Sequence, residues 1–163
     1  MGDGRDEDGG THHGTAIAVG EAAALILGAS GSGKSDLALR CITLGSNALI
    51  PQPCVLVADD RVHLEGAAGR IVVSAPETIA GKLEVRGLGI VDVPYRPSAN
   101  LVLAVELVPP GGVERLPDPP LERDFLGLRL PLMRLAPFEA SAPVKLLLAL
   151  IQASHGHSRP GKA

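Results

Sequence analysis

Aromatic side chains are nearly missing from this chain. It has no tryptophan, and Tyr95, Phe125 and Phe138 are the whole complement. Single-stranded nucleic acid is commonly held by bases stacked on successive rings, and a chain this poor in rings is not built for that. A net charge of −3 supplies no overall attraction to nucleic acid or anionic lipid, so neither nucleic acid nor a membrane is expected as a partner. No apolar run nears the ~20 residues that a helical membrane span requires. The first residues, Met1 to Asp8, are acidic and glycine-rich, the opposite of a secretory signal. Cys41 and Cys54 form no metal or disulfide pattern and read as reduced thiols. These scarcities together predict a soluble, cytoplasmic protein.

What the chain does have is apolar bulk, with 45% of its 163 residues hydrophobic, mostly Ala, Val, Leu and Ile. That length favours one domain with a single core. The expected organisation is a loose Gly/Asp-rich tail over residues 1–10, a domain over 11–153, and a polar flexible tail over 154–163. Within the domain, Gly28-Ala29-Ser30-Gly31-Ser32-Gly33-Lys34-Ser35 fits the phosphate-binding pattern G-x-x-x-x-G-K-[ST]. The apolar run 22–27 before it has the form of a buried strand. Residues 36–42 after it place apolar groups at helical spacing, so the loop opens a helix. Glycines let the backbone curl until several N–H groups face one oxyanion, and the helix N-terminus adds partial positive charge. Lys34 then reaches the outer phosphates, and the Ser35 hydroxyl completes a Mg²⁺ shell of phosphate oxygen and water. A dinucleotide fingerprint is excluded, because Asp36 stands where it needs a third glycine.

Around the loop the pattern is rich in short strands. Strands are expected at 15–19, 22–27, 54–58, 101–107 and 127–135, with 61–65 and 69–74 as a hairpin turning at 66–69. Pro76 to Ala80 reads as one helical turn, and 83–92 as an extended stretch interrupted by glycine, unusual for a strand interior. A closing helix spans 142–153, with Leu146, Leu147, Leu150 and Ile151 on its buried side. Strict βαβ alternation is missing, so the expected fold is α/β with a strand-rich mixed sheet carrying the phosphate loop.

Few residues offer chemistry. Asp59 and Asp60 end an apolar strand about one helix and one connection after the loop, where one carboxylate approaches Mg²⁺ and the other takes a proton from an acceptor hydroxyl. The same pair also fits a solvated acidic turn beside Arg61. Glu84 and Arg86, two apart, share a face if extended: a carboxylate for the metal and a guanidinium for phosphate charge. They fit a surface ion pair equally well. His13, just before a strand, is placed to touch an outer phosphate. His12, His63, His155 and His157 read as surface residues.

Taken in order, His13-Gly14, residues 28–36, Val57-Ala58-Asp59-Asp60-Arg61-Val62 and the run from Leu83 through Glu84, Arg86 and Leu88 to Asp92 resemble the HPr kinase/phosphorylase family. The last segment is similar to that family's signature sequence, and the resemblance covers roughly residues 11–150. It implies a nucleotide-binding core related to phosphoenolpyruvate carboxykinase. It also implies ATP-dependent phosphorylation of a serine on HPr, the small phosphocarrier of the bacterial phosphotransferase system, and the reverse phosphorolysis giving pyrophosphate. Carried over by position, residues 28–35 bind ATP, with Lys34 on the phosphates and Ser35 and Glu84 at Mg²⁺. Asp60 takes the serine proton with Asp59 beside it, and His13 is a catalytic contact at the phosphate. A homo-oligomer is expected. The family's long form carries an N-terminal domain of its own, so this chain is expected to match the short form. The family's basic loop, ending in an Arg-Asn pair, has no counterpart in residues 136–145, and Asn100 follows Ala99 rather than an arginine. Two further readings share the loop: a non-catalytic ATP-binding regulator, and a P-loop kinase of another small acceptor.

Overall fold

The computed structural model describes residues 10–157. The expected tails over 1–9 and 158–163 therefore lie outside the described residues. Strands β1 (Thr11–His13), β2 (Thr15–Val19) and β3 (Ala22–Leu27) lead into helix α1 (Lys34–Thr43). Four more follow: β4 (Cys54–Ala58), β5 (Arg61–Ala67), β6 (Arg70–Ser74) and β7 (Lys82–Val85). The chain continues through β8 (Gly89–Asp92), β9 (Ser98–Leu107), β10 (Glu122–Phe125) and β11 (Leu128–Leu135) to helix α2 (Ala142–His157).

Nine strands make one mixed sheet in the order β1-β5-β6-β9-β3-β2-β4, with β11 parallel to the end of β9 and β10 paired to β11. The central position of β3 follows from its sequence. Apolar side chains on both faces need cover on both faces. Ala24 and Ile26 pack with Leu37 and Cys41 of α1 and Leu146 and Leu150 of α2. Ala23 and Leu25 pack on the other face with Val62, Leu64, Ile71 and Val73, residues of the far end of the same sheet. The sheet thus curls over itself, and two core layers meet at one strand.

That topology gathers strand ends. β3 pairs parallel with β9, and β9 with β11, so Leu27, Leu107 and Leu135 finish at one edge. β2 runs antiparallel, bringing Thr15 opposite Ile26 and Ala16 opposite Ala58. The loop after β3 and the acids after β4 therefore share an edge, at the carboxyl ends of strands where open α/β sheets place their ligands.

The structure departs from the sequence reading in several places. The hairpin of β5 and β6 turns at Ala68 and Gly69, with φ of 50° and 76°, so β5 runs two residues past its expected end. Two consecutive positive φ values match the twist of a tight hairpin. Residues 82–92 are a second hairpin rather than one extended run, because Gly87 at φ 85° and Gly89 at φ 106° reverse the chain. Arg86 lies in that turn, so the expected shared strand face with Glu84 does not form. β1 and β10 are additional strands. The helical turn after Pro76 is a 3-10 turn over Glu77–Ile79. Helix α2 continues through residues read as tail, the Ser154 hydroxyl donating to Ile151 O at 2.6 Å, and Ile151 itself is only half-buried.

The hairpin of β7 and β8 stands apart from the main sheet and is anchored by Leu83, which is fully buried. Leu83→Ala should lower the unfolding free energy by about 2–5 kcal/mol, as large-to-small core changes do. A urea titration of the variant against the native chain measures it.

Candidate active site

The loop between β3 and α1 curls as its glycines allow. Gly31 has φ 79° and Gly33, the helix N-cap, φ 103°. A Cβ at Gly28 would stand 2.5 Å from Ser32 Oγ and 3.2 Å from its Cβ, so a larger residue there would force Ser32 to move. Among the described residues no side chain caps the first turn of α1, which leaves its N–H groups and the helix dipole directed at the cleft. Lys34 is buried and folds back on the loop, its Nζ donating to Gly28 O at 2.8 Å and Ala29 O at 2.9 Å. Burial pulls its pKa below the ordinary lysine range, and the nearby carboxylates of Asp60 and Asp59 offset this only in part.

Asp59 and Asp60 face opposite ways. Asp59 is 7% exposed and accepts three hydrogen bonds: Ser35 Oγ at 2.7 Å and Thr15 Oγ1 at 3.0 Å on Oδ1, and the Glu84 amide at 3.2 Å on Oδ2. Asp60 takes a left-handed backbone, φ 66°, which turns its side chain outward. Its carboxylate is 67% exposed and lies 3.3 Å from His13 Nδ1, while its carbonyl accepts the Gly14 amide at 3.1 Å. Among the described residues no ion pair joins either aspartate to Arg61, or Glu84 to Arg86.

A cleft of about 990 Å³ opens along this edge. Of the residues singled out from sequence, His13, Ser30, Gly31, Gly33, Lys34, Ser35, Asp59, Asp60, Glu84 and Arg86 all line it. Gly28, Ala29 and Ser32 belong to the loop without lining the cleft; two of them supply the carbonyls that hold Lys34. Arg86 reaches across from the hairpin turn to Gly31, where an added Cβ would stand 3.8 Å from its Nη2. Thr15, Leu39, Leu88 and Phe138 also line the cleft and were not among the sequence candidates. A second hollow of about 550 Å³, beside Pro117, Glu122 and Arg129, contains none of these residues.

Ser35 Oγ and Asp59 Oδ1 form a hydroxyl–carboxylate pair at the end of an anion cradle. Such hard oxygen donors suit magnesium, which takes one or two carboxylates and fills its shell with phosphate oxygen and water. Among the described residues no three His, Cys, Asp or Glu side chains gather to hold a metal by themselves.

A family model described as the HPr Serine kinase C-terminal domain matches residues 8–151. This chain belongs to that family. Within the HPr serine kinase family, the HPr kinase/phosphorylase of Clostridium tetani is 40% identical over 96 residues, 59% of this chain and 29% of the relative. That of Bordetella pertussis is 39% identical over 129 residues, 72% of this chain and 39% of the relative. The chain thus spans well under half the length of these curated relatives. The solved Hpr(Ser) kinase/phosphatase from Coxiella burnetii has the same fold, with a TM-score of 0.72, covering 91% of this chain and 97% of that one at 24% identity. The α/β class and mixed sheet expected from sequence are those of this family. Among the described residues no helix is long and apolar enough to cross a membrane.

The buried Lys34 ammonium gives a test that separates fold from ligand binding. A lysine with a depressed folded pKa costs stability while protonated, and the cost lifts as pH rises toward the ordinary lysine range. Lys34→Met should therefore melt no lower than the native chain at neutral pH, with any gap closing as pH rises. The same variant should lose affinity for inorganic tripolyphosphate in calorimetric titration.

Proposed function

We propose that this domain transfers the γ-phosphoryl group of ATP to a serine of the phosphocarrier HPr. The observation that carries the reading is the division of the two adjacent aspartates, one locked inward against Ser35 and one turned outward beside His13 in the same cleft. Membership of the HPr serine kinase family supports the choice of acceptor.

In this reading the residues 28–35 bind the nucleotide phosphates through backbone N–H groups, and Lys34 leaves its loop carbonyls to pair with them. Arg86, against Gly31, adds positive charge on the hairpin side. Ser35, Asp59 and Glu84 would hold Mg²⁺, which when bound neutralises phosphate charge. Asp60 accepts the proton of the serine hydroxyl as its oxygen bonds to the γ-phosphorus and the bond to the β-phosphate oxygen breaks, leaving ADP. His13 fixes the Asp60 carboxylate. Run backwards with inorganic phosphate as acceptor, the phosphoseryl bond breaks, Asp60 returns the proton to serine, and pyrophosphate forms. The reading carries with it a cytoplasmic setting and assembly into a homo-oligomer.

The test is intact mass of HPr from the same cell after incubation with the protein, ATP and Mg²⁺. A gain of one phosphoryl group is expected. Asp60→Asn should slow transfer by about 10²–10⁴-fold, the worth of a general base, with ATP affinity unchanged. Asparagine tolerates the left-handed backbone at this position, so the variant should fold normally. Lys34→Ala should abolish both binding and transfer. Near-native transfer by either variant overturns the assignment, and ATP binding by the native chain without transfer identifies a nucleotide-binding regulator instead.

A further inference from the structure

We propose that Phe138 is the platform on which the base of the bound nucleotide stacks. The proposal rests on the reading of the cleft as an ATP site and assigns its base end.

The sheet gives the cleft two distinguishable sides. The phosphate loop follows β3. On one side of β3 lie β2, which brings Thr15, and β4, followed by Asp59 and Asp60. His13, from the end of β1, stands 3.3 Å from Asp60, so the groups able to move a proton or hold a cation gather there. On the other side lie β9 and β11, and the turn after β11 brings Phe138. A nucleotide has a reacting phosphoryl end and a base end. Placing the reacting end among the carboxylates leaves the base on the side of Phe138.

The ring is positioned for such contact. Its Cζ would lie 3.0 Å from a Cβ on Gly33, the residue capping α1, so it lies directly over the helix end of the phosphate cradle. It is nevertheless 74% exposed, with its surface on the cleft. The other two rings are occupied elsewhere: Phe125 is buried, with the Arg123 guanidinium 5.5 Å from its centroid, and Tyr95 covers Gly81. Phe138 is also held in place. Pro137 before it is buried, and its carbonyl accepts from the Arg40 guanidinium, which in turn pairs with Asp36 at 3.0 Å. Asp36 and Leu39, one turn apart on α1, line the same cleft, so it also offers an aliphatic side chain. A tethered, exposed ring next to an anion cradle suits a purine, whose face gains from aromatic stacking whatever its edge pattern.

Isothermal titration of the native chain, Phe138→Ala and Phe138→Tyr, each with ATP and with inorganic tripolyphosphate in the presence of Mg²⁺, tests the assignment without HPr. Phe138→Ala should weaken ATP by about five- to a hundred-fold, the range for loss of one aromatic–base stack. It should leave tripolyphosphate, which has no base, unchanged, and Phe138→Tyr should retain native ATP affinity. The ring is exposed, so its truncation leaves the core intact. Equal ATP affinity in the native chain and Phe138→Ala overturns the proposal, including when the variant instead raises the KM for HPr. Equal losses for both ligands also overturn it, since the ring would then shape the loop. A native chain that binds neither ligand overturns the phosphate site itself and the platform with it, so the two failures are told apart.

Discussion

A carboxylate taken out of water is costly unless every lone pair that matters finds a donor, and the Asp59 carboxylate finds three. Its donors come from three separate places: Thr15 from β2, Ser35 from α1 and the Glu84 amide from the hairpin. Asp59 itself directly follows β4. One buried charge thus fixes the phosphate loop against both the strand ends and the hairpin that closes the cleft. Removing any donor weakens the case for keeping the charge buried, so these elements hold their relative places together or not at all. The hydrogen bond from Ser35 also keeps its hydroxyl beside a carboxylate oxygen, the arrangement that gives the cleft its hard-oxygen character.

The neighbouring Asp60 shows what a single backbone reversal accomplishes. The two aspartates form the turn between β4 and β5, and the left-handed φ at Asp60 turns that side chain into solvent at the cleft. The Gly14 amide on its carbonyl and His13 on its carboxylate hold it there. Two identical residue types thereby acquire unlike surroundings, one dry and bonded three times, the other wet and reachable by a second molecule. The buried Lys34 ammonium follows the same logic in reverse. Burial disfavours its charge, and in the proposed reading that charge is kept for the phosphates.

Much of this was legible in the sequence where local chemistry and tertiary position agree. The loop pattern, the apolar run of β3 and the helical spacing of α1 reinforce one another, and the strand and the helix both form in the structure with the loop between them. Other features depended on partners that spacing does not reveal. β1, with the sequence Thr-His-His, and β10, with Glu-Arg-Asp-Phe, have no apolar alternation; they exist because β5 and β11 offer open edges. The glycines at 87 and 89 read as interruptions, although together they are the signal for a reversal. Thr15 carried a usable hint, a lone hydroxyl in the otherwise apolar run Thr-Ala-Ile-Ala-Val of a buried strand. For Phe138 the hint was an isolated ring after a proline in a segment with no other reason for one.

The pairing of β3 with β9 joins segments separated by about half the chain, Ala22 lying opposite Asn100, and α2, which covers β3 on one face, follows every strand of the sheet. On the ribosome the phosphate loop therefore emerges well before the strands and helix that bury its neighbours. Until then Ala22–Leu27, buried in the finished fold, lacks the cover that β9 and α2 give it. Contacts so distant in sequence close slowly. A chain interrupted before β11 would carry every residue that lines the cleft except Phe138, yet lack the helix that covers one face of β3.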